Sequence, residues 1–124
     1  MEEYSEEVME HFRHPKNVGE LEDPSGRGKV GNPVCGDIME LHIKVENGRI
    51  VDAKFKTFGC GAAIATSSML TEMVKGMTIE DASKISNQSI VDALGGLPKV
   101  KVHCSVLGVE ALHKALDDYN AKSA

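Results

Sequence analysis

The sequence predicts an α+β fold, a small antiparallel sheet with helices packed mainly on one face. Two observations carry that expectation. Met39, Leu41, Ile43 and Val45 alternate with Glu40, His42 and Lys44, giving one apolar and one wet face before the turn signal Asn47-Gly48. The return run sets Val51, Ala53 and Phe55 against Asp52, Lys54 and Lys56, which completes a β-hairpin. Beyond the hairpin the chain reads as helical, and Leu107, Ala111, Leu112, Ala115, Leu116 and Tyr119 mark a long amphipathic helix at the C-terminal end.

The remaining elements follow in order. Ser5 to His14 reads as a first helix, with Ser5 as cap, Glu6 and Glu7 at the positive end of the dipole, and Tyr4, Val8 and Phe12 along one face. Pro15 ends it. Asn17 to Pro33 is rich in Gly, Pro, Asp and Asn, so it reads as loop with one short strand near Lys29-Val30. Ala62 to Lys75 has good helix formers and no proline, with Gly76 as C-cap. Thr78-Ile79-Glu80-Asp81 resembles a capping box opening a short helix. A further short helix spans about Gln88 to Leu94, stopped by Gly95-Gly96, and Leu97 to Val102 is extended.

At 124 residues the chain fits one domain, 1–124, with its own core. A formal net charge of −5 argues against sequence-independent binding to nucleic acid or to an anionic membrane, both of which need a basic footprint. No apolar run approaches the roughly 20 residues that span a bilayer. The acidic start Met1-Glu2-Glu3-Tyr4 lacks the apolar stretch of a secretory signal, so a cytoplasmic address is expected. Three cysteines are an odd and sparse set for a disulfide framework.

Several patterns have ordinary explanations. Gly26-Arg27-Gly28-Lys29-Val30-Gly31 satisfies G-x-G-x-x-G, yet a polar Asp23-Pro24-Ser25 turn precedes it and Asn32-Pro33 follows, where a dinucleotide site needs a strand and a helix. His11 and His14 complement a helix end. Asn87-Gln88-Ser89 matches a glycosylation sequon without a secretory context. Met69 and Met73 read as core filler.

The cysteines are different. Cys35 lies in the turn Gly31-Asn32-Pro33-Val34-Cys35-Gly36-Asp37, Cys60 sits between Gly59 and Gly61 at a strand-to-helix junction, and Cys104 opens the last helix. Two of the three are thus expected near a helix N-terminus, where the dipole favours thiolate. Asp37 is two residues from Cys35, on the same side of an extended segment, and His103 adjoins Cys104. Three thiolates with one oxygen or nitrogen donor suit either a tetrahedral zinc or one [2Fe–2S] cluster. Separations of 25 and 44 residues do not match paired C-x2-C modules, so spacing alone leaves both metals open. A hard carboxylate among soft thiolates would hold a cluster loosely, which suits a scaffold better than an electron carrier. A hydrolase built on Cys104 lacks an evident orienting acid, and adjacent His103 is poorly placed as its base.

These residues resemble the IscU/NifU-type iron–sulfur cluster assembly scaffolds. The likeness runs through Tyr4-Ser5, Pro15-Lys16-Asn17-Val18-Gly19, the Cys35 turn, Phe58-Gly59-Cys60-Gly61-Ala62-Ala63-Ile64-Ala65 and Lys101-Val102-His103-Cys104-Ser105. It implies a three-stranded antiparallel sheet and a non-enzymatic scaffold that assembles a [2Fe–2S] cluster from iron and desulfurase sulfur. Cys35, Cys60 and Cys104 would receive sulfur and bind iron, with zinc suited to the same donors. Asp37 would govern cluster release, His103 would compete with it for the fourth position, and Lys101 would steer the site electrostatically. Implied partners are a cysteine desulfurase, ferredoxin or other apo acceptors, an Hsp70/J-type chaperone, and a second copy when loaded. The chaperone segment reads Leu97-Pro98-Lys99-Val100-Lys101, with Lys99 where the family has a second proline. The last helix carries Gly108-Val109-Glu110 where the commoner pattern has Ala-Glu-Asp. His103 and the length without an inserted helical segment favour this branch over the zinc-dependent sulfur-transfer one.

Overall fold

The elements run α1 (Glu6–Arg13), β1 (Gly26–Asn32), β2 (Asp37–Glu46), β3 (Arg49–Phe58), α2 (Gly61–Val74), α3 (Ile79–Ser83), α4 (Asn87–Ala93) and α5 (His103–Ser123). The computed structural model describes residues 5–32, 37–58, 61–95 and 103–123, and within these the side chains of all but 32, 37, 61, 62, 103–105 and 123. The strands form one antiparallel sheet in the order β1-β2-β3. This is the predicted α+β, three-stranded architecture. The extended stretch expected over 97–102 lies outside the described residues.

The hairpin forms as its alternation requires. Met39, Leu41, Ile43, Ala53 and Phe55 are all within 1% of full burial, and Asn47 (φ 54°) with Gly48 (φ 75°) makes the two-residue turn. Val51 departs from the expected face. The register shifts from Lys44↔Asp52 to Val45↔Ile50, which leaves Val51 as an extra, unpaired residue. The resulting bulge turns Ile50 into the core and leaves Val51 49% exposed.

β1 is longer than the Lys29-Val30 strand expected, because glycine serves here as a packing residue rather than a loop signal. A Cβ built on Gly26 would lie 2.2 Å from the Ala115 carbonyl oxygen, and one on Gly28 would lie 2.1 Å from that of Ala111. Only hydrogen fits between β1 and α5. The G-x-G pattern is therefore a seat for the last helix, which covers it with Ala111, Lys114, Ala115 and Tyr119.

The middle helix, α2, is buried on several sides, with Ala63, Ala65, Thr66, Ser67, Ser68, Leu70, Thr71 and Val74 all inside. Its small hydroxyls anchor the N-terminal arm. Ser68 Oγ accepts the Lys16 N–H at 2.8 Å and meets His11 Nδ1 at 2.6 Å, while Thr71 Oγ1 accepts from Asn17 Nδ2 at 3.0 Å. Burial beside Ser68 pulls the His11 imidazole below its ordinary range, against an opposing pull from Glu72. α1 thus rests on α2 through Val8 and His11, so Phe12 is 46% exposed instead of lining the buried face; Tyr4 lies outside the described residues.

The caps also differ in detail. Ser5 and Thr78 act as expected, accepting from Val8 N–H and Asp81 N–H. The reciprocal capping box belongs to α4, where Ser86 and Ser89 each bond the other's backbone N–H.

The seat of α5 is the sharpest point to test. Gly28→Ala should force strand and helix apart and cost on the order of 3 kcal/mol, a fall of roughly 10 °C in thermal midpoint by circular dichroism. Gly48→Ala, whose Cβ would meet nothing within 4 Å, carries only the strain of its positive φ and should cost about 1 kcal/mol.

Candidate functional site

Asp37 opens β2 and pairs with Asn32, the last residue of β1, and the next residue, Ile38, pairs with Phe58, the last residue of β3. The ends of all three strands therefore lie together. The links that carry Cys35 and Cys60 leave from this end, and α2 begins at Gly61, three residues beyond Phe58.

The packing of α5 extends the argument to the third cysteine. Gly26 faces Ala115 and Tyr119, and Gly28 faces Ala111 and Ala115, so the helix runs antiparallel to the strand. From Gly28 to Asn32 the strand advances about 13 Å, which corresponds to about nine residues of helix. That step leads from Ala111–Ala115 to the first turn of α5, where His103 and Cys104 stand. The same end of the sheet thus gathers the start of β2, the end of β3, the start of α2 and the start of α5.

The placement of each expected residue follows. The backbones of Asp37, His103 and Cys104 stand at the first positions of β2 and α5. Cys35, Cys60 and Lys101 lie outside the described residues, as do the side chains of Asp37, His103 and Cys104. Around this end Ile38, Phe58 and Val106 are 38%, 72% and 40% exposed, three of the six large apolar side chains exposed among the described residues.

A second cluster was not foreseen. Glu20, Glu40 and His42 bring one donor atom each within 4.8 Å of the others, the only such group among the described residues. His42 was assigned to the wet face, yet it is 3% exposed, because the segment leading into β1 crosses over it. Leu21 donates its N–H to His42 Nδ1 at 3.2 Å, so that nitrogen carries the lone pair and Nε2 carries the proton, which points at Glu40 Oε2 at 3.2 Å. A metal on Nε2 would need the opposite tautomer and would set two N–H groups against each other. Glu20 is in turn paired with Lys56 at 3.3 Å. The cluster is a clasp that ties Glu20 and Leu21 to the sheet, and with both ring nitrogens engaged His42 offers no lone pair to a metal.

This fold, with its element ends gathered at one end of the sheet, defines a class that the comparisons identify. Residues 3–124 match the family model described as NifU-like N terminal domain, and the chain belongs to that family. It is 59% identical over 120 residues to the iron-sulfur cluster assembly scaffold protein IscU 1 of Archaeoglobus fulgidus, covering 97% of this chain and 78% of that one. It is 54% identical over 123 residues to the scaffold protein IscU of Haemophilus influenzae, covering 96% and 97%. Among solved structures it is similar, at TM-score 0.74 and 25% identity, to a candidate iron-sulfur cluster assembly scaffold protein for the SUF system of Fervidobacterium islandicum, covering 91% and 96%. No described helix is long and apolar enough to cross a membrane.

The clasp makes a prediction about acid. The hydrogen bond from His42 holds the Glu40 carboxyl below its ordinary range, with burial opposing. A lowered folded-state value means that the clasp stabilises fully above the unfolded-state value, and that this share is lost as pH falls through the folded one. Between about pH 5 and pH 3 the parent should therefore lose stability more steeply than Glu40→Gln, as read from denaturant midpoints at each pH. Parallel curves for the two proteins would show that Glu40 does not act through its charge.

Proposed function

We propose that this chain is a scaffold on which a [2Fe–2S] cluster is assembled from iron and desulfurase-derived sulfur and then passed to acceptor apoproteins. The observation that supports the proposal is the strand and helix register, which gathers at one end of the sheet the described elements that flank the three cysteines in sequence. High identity to named scaffold proteins over nearly the whole chain supports it.

In this reading Cys35, Cys60 and Cys104 act as thiolates. One of them attacks the outer sulfur of a desulfurase persulfide, takes that sulfur as its own persulfide, and returns a thiolate to the donor. The first turn of α5 favours the ionised form at Cys104 through its exposed N–H groups. Iron binds to the same thiolates, and Asp37 and His103 compete for the remaining position. Lys101 adds a positive charge beside this anionic set. Zinc suits the same donors and competes with iron for them. The chain turns over no substrate of its own.

The partners implied are a cysteine desulfurase, a ferredoxin or other apo acceptor, and an Hsp70/J-type chaperone whose docking segment departs from the family pattern at Lys99. A second copy joins when the site is loaded. The apolar rim of Ile38, Phe58 and Val106 is a surface on which a donor or acceptor protein can rest. A cytoplasmic setting, in which thiols stay reduced, fits three cysteines, an odd and sparse set for disulfides.

Protein purified without oxygen and loaded with desulfurase, cysteine and ferrous iron should show visible absorption and equal iron and acid-labile sulfide. Serine at Cys35, Cys60 and Cys104 together should abolish sulfur loading by mass measurement. Tightly bound zinc, with no absorption after loading, would defeat the cluster reading.

Asp37 provides the second test. Asp37→Ala removes the hard, displaceable donor and leaves the three thiolates with His103. The variant should keep its cluster several-fold longer in air and pass it more slowly to apo-ferredoxin, with little change in fold. Faster loss from the variant would show that the carboxylate secures the cluster.

A further inference from the structure

The outer edge of β1 is open. Phe55 donates its N–H to the Asn17 carbonyl and its C=O accepts the Gly19 N–H, so the backbone groups of odd-numbered residues of β3 face away from β2. The alternation of an antiparallel ladder then makes the odd residues of β2 bond to β1, and the odd residues of β1 face outward. An independent contact agrees, since Arg27 donates its outward N–H to Asp118 Oδ2 at 2.9 Å. Farther along the edge, the outward backbone groups of Lys29 and Gly31 meet no partner among the described residues.

The chemistry around this edge is cationic. Arg27 and Lys29 are exposed and their side chains form no ion pair among the described residues. Lys122 reaches the same place from α5, where it pairs with Asp118 at 3.0 Å. Arg27, Lys29, Glu40, Asp118 and Lys122 line a cleft of about 370 Å³ against the edge. Of its two acids, Glu40 accepts from the neutral His42 ring and Asp118 accepts from the Arg27 N–H and Lys122, so the cleft holds three cations against two carboxylates.

We propose that the edge of β1 from Arg27 to Gly31 receives an extended acidic segment of a partner protein by strand addition. Asp118 already places an acceptor on the first outward N–H, and a backbone carbonyl of an incoming strand meets the next one about 6.6 Å farther along, at Lys29. Its alternate carboxylates pair with Arg27, Lys29 and Lys122 while its backbone completes the ladder at Lys29 and Gly31. A second copy of this chain is the poorer occupant. Antiparallel self-pairing centred on Lys29 sets that cation directly opposite itself, a destabilising arrangement. On a chain of net charge −5, this strip is one that attracts acid.

The probe is a synthetic seven-residue peptide, valine alternating with glutamate and blocked at both ends, titrated into isotopically labelled protein. Binding should shift and protect the Lys29 and Gly31 amides, and the counterpart with lysine for glutamate should bind at least tenfold more weakly. Gly31→Pro removes an outward donor without touching the β1–β2 ladder and should weaken binding tenfold or more. Lys29→Glu, which keeps the backbone intact, should do the same and serves if the proline variant does not fold. Equal affinity for both peptides, shifts that map elsewhere, or affinity unchanged in Lys29→Glu would overturn the proposal. So would concentration-dependent dimerisation of the free protein that Lys29→Glu abolishes, which would assign the edge to a second copy.

Discussion

The approach of α5 to β1 is the constraint on which the other contacts depend. Backbone oxygens of Ala111 and Ala115 stand where the Cβ atoms of Gly28 and Gly26 would be. A helix that close to a strand has almost no freedom to slide, because any shift sets a methyl or methylene against bare backbone. The relation between residue number on the strand and residue number on the helix is therefore fixed. That relation brings the first turn of α5 to the end of the sheet where β2 begins and β3 stops. The position of His103 and Cys104 is set by glycines and alanines two or more helical turns away.

A second layer fixes the remaining approach to the site. α2 starts three residues after β3 and cannot drift, since most of its sides are packed. Its interior is made compact by alanine, serine and threonine, and each hydroxyl is used: Thr66 donates to the Ala63 carbonyl, Ser67 meets Met39 Sδ, and Ser68 and Thr71 hold the arm that follows α1. No buried side-chain nitrogen or oxygen among the described residues lacks a partner. A buried hydroxyl without a bond would cost about 1–3 kcal/mol, so full satisfaction is what allows so polar a helix at the centre.

The sequence made the hairpin and the last helix legible because their apolar residues repeat with periods of two and of three to four. β1 was obscured because two of its three buried inward residues, Gly26 and Gly28, are glycine, which leaves no hydrophobic mark and reads as loop. Val51 kept the alternation of its strand on paper, and only the paired strand revealed the extra residue at the bulge. His42 was read as solvated because its neighbours Glu40 and Lys44 are; its burial depends on Leu21, 21 residues earlier, donating a backbone N–H that no side-chain pattern encodes. For the candidate site, the motifs around Cys35, Cys60 and Cys104 carried the resemblance to the family. The gathering of the starts of β2, α2 and α5 with the end of β3 follows from strand register and from the seat of α5, two properties of paired elements that no single segment contains.

β1 thus carries two separate demands on alternate residues. Its even positions, Gly26, Gly28 and Val30, are buried toward α5, while Arg27, Lys29 and Gly31 are exposed. The two-residue period of a strand lets these demands be met independently. A change in charge at Lys29 does not disturb the helix seat, and a change in volume at Gly28 does not alter the charge of the edge. The two sets act at different places along the sheet. The inward residues fix where α5 begins, near Asn32, while the cleft of Arg27, Asp118 and Lys122 lies toward the other end, where α5 finishes.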